Sequence, residues 1–201
     1  EKQARRMPTG MHISPVLLSD GSLISIGFES MMPEAKRQLC VYKSFDRGDS
    51  WAKTGEIDVP AMDLNENHVL DVGNGRLIGL FRKCGDYLRQ AISEDYGQTW
   101  SRPETTGIKG FPAQMIKLHN GDVLCVYSHR WQPYSIRGVL SHDNGQSWDL
   151  ANTFTIYEWA DTPDMGYPST LEITPGELLT VFYCSRRGAI PLHEITQPEG
   201  I

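Results

Sequence analysis

Several things are missing from this chain, and each absence removes a class of function. No apolar run approaches the ~18 residues that a membrane-spanning helix needs. There is no CxxC pair among the four cysteines (Cys40, Cys84, Cys125 and Cys184), so the spacing of a structural zinc site is absent and neither a metal nor a cofactor is expected. Basic residues are outnumbered, with a formal net charge of −6 over 201 residues, whereas a nucleic-acid binder needs a basic face. No stretch shows a sustained 3.6-residue apolar period, which predicts almost no helix. There is no Asn-x-Ser/Thr acceptor for glycosylation. The start, EKQARRMPTGMHI, has neither an initiator Met nor the charged-then-apolar order of a signal peptide. It reads as a piece of something longer, and with no membrane span a soluble protein, cytoplasmic or exported, is expected.

What the chain does contain is a repeat. SFDRGDSW at 44–51, SEDYGQTW at 93–100 and SHDNGQSW at 141–148 share the pattern Ser-x-Asp-x-Gly-x-(Ser/Thr)-Trp. Turn signals SDGSL, GNGRL, HNGDVL and TPGELL place glycines at 21, 75, 121 and 176. Each lies between two apolar runs, the pattern of a β-hairpin. A third run follows (LCVYKS, LRQAIS, IRGVLS), then the box, then a short fourth segment. That makes one four-stranded antiparallel unit per repeat, and a period of 40–50 residues with several strands suggests a propeller. The units run roughly 8–58, 59–106, 107–155 and 156–201, the last without a third strand or box. All-β architecture is expected throughout, in a single propeller domain or fragment. Single sheets of this kind need neighbours to bury both faces, so missing blades or self-association are expected to complete the ring.

Every part of the box has a folding role. Asp accepts bonds from nearby backbone amides, Gly takes a positive φ, and Trp lays a large ring on the core between sheets. The intervening positions vary freely, as Phe45, Glu94 and His142 show. A calcium loop would need several more oxygen ligands at regular spacing. The cysteines sit in or next to strand-like runs and read as buried free thiols.

With three such boxes, the chain resembles the sialidase superfamily, propellers of Asp-box repeats that are usually six-bladed, and most closely the bacterial proteins called exo-sialidase-like. The resemblance implies an exo-acting glycoside hydrolase that releases a terminal, anionic sugar from a glycan substrate. Propeller sites lie on the axis, lined by the innermost strand of each blade. Nine residues before each turn glycine stand His12, Glu66, Pro112 and Tyr167. In the family a Tyr nucleophile is assisted by a Glu that takes its proton, an exception among glycosidases. The matching letters are Asn65-Glu66 and Gly166-Tyr167-Pro168, which puts Tyr167 forward as nucleophile and Glu66 as its base. An unassisted phenol of pKa ~10 is a weak nucleophile at neutral pH.

Sialidases also hold a substrate carboxylate with three arginines, whose planar fork suits it. Arg82 matches the second of them, and Arg130 and Arg137 are both candidates for the third; Arg89 occupies in its own unit the place of Arg137 in the next. The first has no match, since the comparable stretch reads His12-Ile13-Ser14-Pro15. Nor is there an obvious counterpart of the family's catalytic Asp, for which Glu29 is a poor substitute. Two other readings therefore stand beside the first. One is a glycosidase or lyase for another sugar, with His12 as an axial acid or base and His68 and His129 as further pocket residues. The other is a non-catalytic propeller that binds glycan or protein.

Overall fold

The computed structural model describes residues 15–31, 36–59, 64–83 and 85–185. Fourteen strands form three four-stranded sheets and one two-stranded sheet, all antiparallel. The first sheet is β1 (Val16–Leu17), β2 (Leu23–Met31), β3 (Lys36–Ser44) and β4 (Ala52–Ile57). The second comprises β5 (Leu64–Gly73), β6 (Arg76–Lys83), β7 (Tyr87–Ser93) and β8 (Glu104–Lys109). The third holds β9 (Ala113–Lys117), β10 (Val123–His129), β11 (Ser135–Ser141) and β12 (Phe154–Tyr157). The fourth is the hairpin of β13 (Met165–Thr174) and β14 (Glu177–Cys184). Each sheet is a meander whose strands pair in chain order. Together they make an open, partial propeller, as expected from the repeat. Among the described residues the only helical turn is a 3-10 turn at Leu150–Asn152, and no helix is long and apolar enough to cross a membrane.

The second strands of the middle two sheets, β6 and β10, are nearly unbroken apolar runs because both their faces are covered. Alternation in β6 sends Leu77 and Phe81 into a core shared with the first sheet (Ile24, Ile26, Leu39, Val41). Its Ile78 and Leu80 enter a core shared with the third sheet (Met115, Val123, Cys125, Val139). One strand thus serves two cores with period 2, and hydrophobic burial of this kind contributes roughly 25 cal/mol per Å2. Leu124 and Val126 of β10 continue the pattern against Met165 of the fourth sheet. Among the described residues, Leu171, Ile173, Leu179 and Val181 of that last hairpin are 52–63% exposed. Cys40 and Cys125 are buried free thiols and Cys184 is half-buried; Cys84 lies outside the described residues.

The boxes are tight turns. In the first, Ser50 N–H donates to Asp46 Oδ1 at 2.8 Å and Gly48 N–H to Ser44 Oγ at 2.8 Å. The other two repeat these bonds with Asp95 and Ser93, and with Asp143 and Ser141. Not only the glycine but also the residue before it has a positive φ: Arg47 58°, Tyr96 58° and Asn144 54°. Two consecutive left-handed residues make a type I′-like turn, so the variable position is less free than the letters suggest. Each later box is pressed on the preceding sheet. Gln90 Nε2–H donates to Gly145 O at 2.7 Å, and Trp148 Nε1–H donates to Gln90 Oε1 at 2.8 Å. Lys43, buried, donates to Tyr96 O at 2.9 Å.

A Cβ on Gly145 would lie 2.3 Å from Ile78 Cδ1, while one on Gly121, also at positive φ, would meet nothing within 4 Å. Gly121→Ala is therefore expected to cost about 1–2 kcal/mol, from backbone strain alone. Gly145→Ala adds overpacking against the neighbouring sheet, for a total of about 2–4 kcal/mol. Urea denaturation of both variants measures the difference; equal losses would show that the box glycine is needed only for its turn.

Candidate functional site

Two β-bulges build the site. On the first inner strand involved, the register runs from Leu64↔Lys83 directly to Asn67↔Phe81. Asn65 and Glu66 together thus oppose the single residue Arg82, and a bulge re-aims a side chain in this way. On β13 the register passes from Gly166↔Tyr183 to Ser169↔Val181, so Tyr167 and Pro168 bulge opposite Phe182. Gly166 has φ 145° and Tyr167 φ 49°. A left-handed tyrosine is strained, and the strain is tolerated where surrounding contacts over-determine the backbone. Pro168, with no N–H to pair, suits the irregular position.

These bulges bring together side chains 101 residues apart. Tyr167 Oη–H donates to Glu66 Oε1 at 2.6 Å. Arg82 Nη1–H donates to the same oxygen at 2.7 Å, with the two charged side chains only 12% and 18% exposed. Glu66 Oε2 is buried without a hydrogen-bond partner. The Arg82 guanidinium lies over the Phe111 ring, 4.5 Å from its centroid. The dyad borders a cleft of about 360 Å3. Glu66, Pro112 and Tyr167, all nine residues before their turn glycines, line it, as do Pro15 and Val16 of the first sheet. Glu66 is the one carboxylate among its described lining residues.

Burial pulls the Glu66 carboxyl upward, but the Tyr167 hydroxyl, a backbone N–H and the Arg82 charge outweigh it, leaving the group below its ordinary value. The Tyr167 phenol is raised, first by its hydrogen bond to Glu66, then by burial and the Glu66 charge, against the pull of Arg82 and Arg130. Tyr167 thus stays protonated beside an ionised carboxylate, a poised donor and acceptor.

The remaining expected residues are placed as follows. Arg130, just past β10, donates from Nη2 to Tyr183 Oη at 3.2 Å and lies 5.8 Å from the Phe111 centroid. Tyr183 stacks on Tyr167, with centroids 6.0 Å apart and planes at 29°. The sequence does not flag Tyr183 or Asp164, because each is ordinary in its own segment and acts only through strand pairing. His68 lines the cleft, yet its Nδ1 accepts the Met115 N–H at 3.3 Å and burial pushes its pKa down to about 4. It is therefore neutral at neutral pH. His129 donates from Nδ1 to Pro133 O at 3.2 Å, and Arg137 donates from Nε to Ser135 Oγ at 2.8 Å; neither lines the cleft. Arg89 is paired with Asp86. Glu29 bonds to Lys53 and Tyr42, in that order of effect, which holds it at about 2, so it stays ionised and has no proton to give. His12 lies outside the described residues. Among those residues no cluster of three or more potential metal ligands occurs.

The His68 imidazole generates a pH prediction. Its folded pKa of about 4 lies below the ordinary 6.5, so the unfolded chain binds the proton first and stability falls as pH drops from 6.5 to 4. His68→Gln is expected to flatten this part of the profile, measured as the urea midpoint against pH. A variant that keeps the full slope would show that His68 is not its source.

Comparison with known proteins bears on the fold. The family model described as "BNR repeat-like domain" matches residues 2–179. Among curated proteins no match was found. A solved protein of unknown function from Dyadobacter fermentans superposes with a TM-score of 0.79 at 21% identity, covering 89% of this chain and 50% of that one. The NanB sialidase of Streptococcus pneumoniae gives 0.60 at 19% identity, over 85% of this chain and 27% of that one. An alpha-l-arabinofuranosidase from Fusarium graminearum gives 0.53 at 15%, over 78% and 52%. The chain thus spans half or less of the length of the first solved structures it resembles, and at these identities the likeness is one of fold.

Proposed function

Because the chain belongs to the family of BNR repeat-like domains, with a glycoside-hydrolase-like fold, we propose that it is an exo-acting, retaining glycoside hydrolase of the sialidase type. The observation that carries this reading is the 2.6 Å bond from Tyr167 Oη to Glu66. In the first step Glu66 takes the phenolic proton as Tyr167 Oη attacks the anomeric carbon, and the bond from that carbon to the leaving oxygen breaks as a separate acid protonates that oxygen. In the second, water attacks the same carbon and gives its proton to the conjugate base of that acid, the bond to Tyr167 breaks, and Glu66 returns its proton to the phenolate oxygen. Two displacements retain configuration. A phenol also avoids the repulsion that a carboxylate nucleophile would feel toward an anionic sugar. Arg82 keeps Glu66 ionised and, with Arg130 beside Tyr167, receives the anionic group of the substrate. Arg137, held by Ser135, is the other candidate for that role.

A second reading is favoured by a specific observation. Glu66 is the one carboxylate on the described cleft wall, so the acid that protonates the leaving group must come from elsewhere. With His12 in that role the chain would act on a different, neutral sugar, and with no acid it would bind glycan without cleaving it.

Turnover of a panel of aryl glycosides of anionic and neutral sugars separates these readings. On the preferred one, Tyr167→Phe lowers kcat at least ~1,000-fold, about 4 kcal/mol of barrier. Glu66→Gln lowers it roughly 100- to 10,000-fold. The acid limb of kcat/KM falls only as Glu66 protonates, below its ordinary 4.5. His12→Ala should matter only on the second reading. Undiminished turnover in Tyr167→Phe would sink the nucleophile assignment.

A further inference from the structure

Tyr183 on β14 pairs in register with Gly166, and its hydroxyl has two partners. It donates to Asp164 Oδ1 at 2.8 Å and accepts from Arg130 Nη2 at 3.2 Å. An ionised carboxylate only accepts, so the phenolic proton is committed to Asp164 and the oxygen lone pairs are left for the guanidinium. Asp164 is itself anchored. Its Oδ2 accepts the Ser185 hydroxyl, its carbonyl accepts the Ser185 N–H at 2.8 Å, and its own N–H donates to Thr162 Oγ1 at 3.2 Å. Gly166 leaves room for the arginine, since a Cβ there would stand 3.0 Å from Arg130 Nη2.

Packing does not require this hydroxyl. Tyr183 is 40% exposed, and a phenylalanine would stack on Tyr167 equally well. What the hydroxyl adds is a spacer between a cation and an anion. Without it Arg130 and Asp164 would attract each other and close into a direct ion pair, taking the guanidinium charge away from Tyr167. Other groups acting on Tyr167 are Glu66 from β5 and Arg82 from β6. Arg82 already donates to the same Glu66 oxygen as Tyr167 does, so its charge is paired and Arg130 is the less compensated one.

We propose that Tyr183, its proton fixed by Asp164, is a positioning residue that holds Arg130 beside the Tyr167 phenol and apart from Asp164, so that the guanidinium favours the phenolate and meets the substrate's anionic group. This rests on the reading of Tyr167 as nucleophile, and the test keeps the two separable.

The full chain, labelled with 13C-tyrosine, is titrated by NMR, with Tyr167 assigned through Tyr167→Phe; kcat/KM is measured in parallel on an aryl glycoside of an anionic sugar. Tyr183→Phe should move the Tyr167 titration upward and lower kcat/KM about tenfold, the loss of one charge-assisted hydrogen bond. Asp164→Asn, which removes the competing anion, should move the titration downward in the wild-type background and restore it in the Tyr183→Phe background. A purely structural Tyr183 would give no such opposite signs. An unmoved titration in Tyr183→Phe, or a double variant no better than the single, overturns the proposal. If the wild type turns nothing over, the hydrolase reading fails while the titration still decides the positioning role.

Discussion

The box glycine resting on the hairpin of the preceding sheet is the contact on which the arrangement depends. Gly97 sits against Ile24 and Gly145 against Ile78, each so close that a Cβ would lie 2.3–2.5 Å from the isoleucine Cδ1. A four-stranded sheet has two faces to cover and cannot do so by itself. By seating each turn on its neighbour, the boxes set the spacing between sheets, and the side chains of strands such as β6 then fill both flanking cores. Once the sheets are spaced in this way, their innermost strands β5, β9 and β13 lie side by side.

That alignment alone would not make a site, because regular strands would send Glu66 and Tyr167 wherever the pleat dictates. The bulges at Asn65-Glu66 and at Tyr167-Pro168 break the alternation and turn both side chains to a common point. There a phenol, a carboxylate and a guanidinium share one oxygen atom. Around it Phe111 takes the faces of two guanidiniums, Arg82 and Arg130, so two like charges are tolerated close together beside one anion. The result is a carboxylate kept ionised and a phenol kept protonated.

Much of this was legible in the letters. The turn glycines at 21, 75, 121 and 176 each take a positive φ of 82–95°, as a hairpin of that spelling requires. Counting back nine residues from three of them reaches Glu66, Pro112 and Tyr167, which line one cleft. Less legible were Arg130 and Arg137. They are equivalent on paper, seven residues apart, but one follows β10 onto Tyr183 and the other is held on β11 by Ser135. His68 reads as a pocket residue and does line the cleft, where the Met115 amide and burial make it a neutral acceptor.

Period, strand content and turn chemistry follow from the letters alone, because those are local: a positive φ favours glycine, and a strand buried on both faces needs an unbroken apolar run. Only the tertiary structure decided which polar groups meet. Glu66 and Tyr167 lie 101 residues apart, and whether they touch depends on two bulges and on how closely one sheet seats against the next. The same holds for Asp164, Tyr183 and Arg130: one bond joins β14 to the start of its own hairpin and the other joins it to the end of β10 in the next sheet, and neither leaves a trace in spacing.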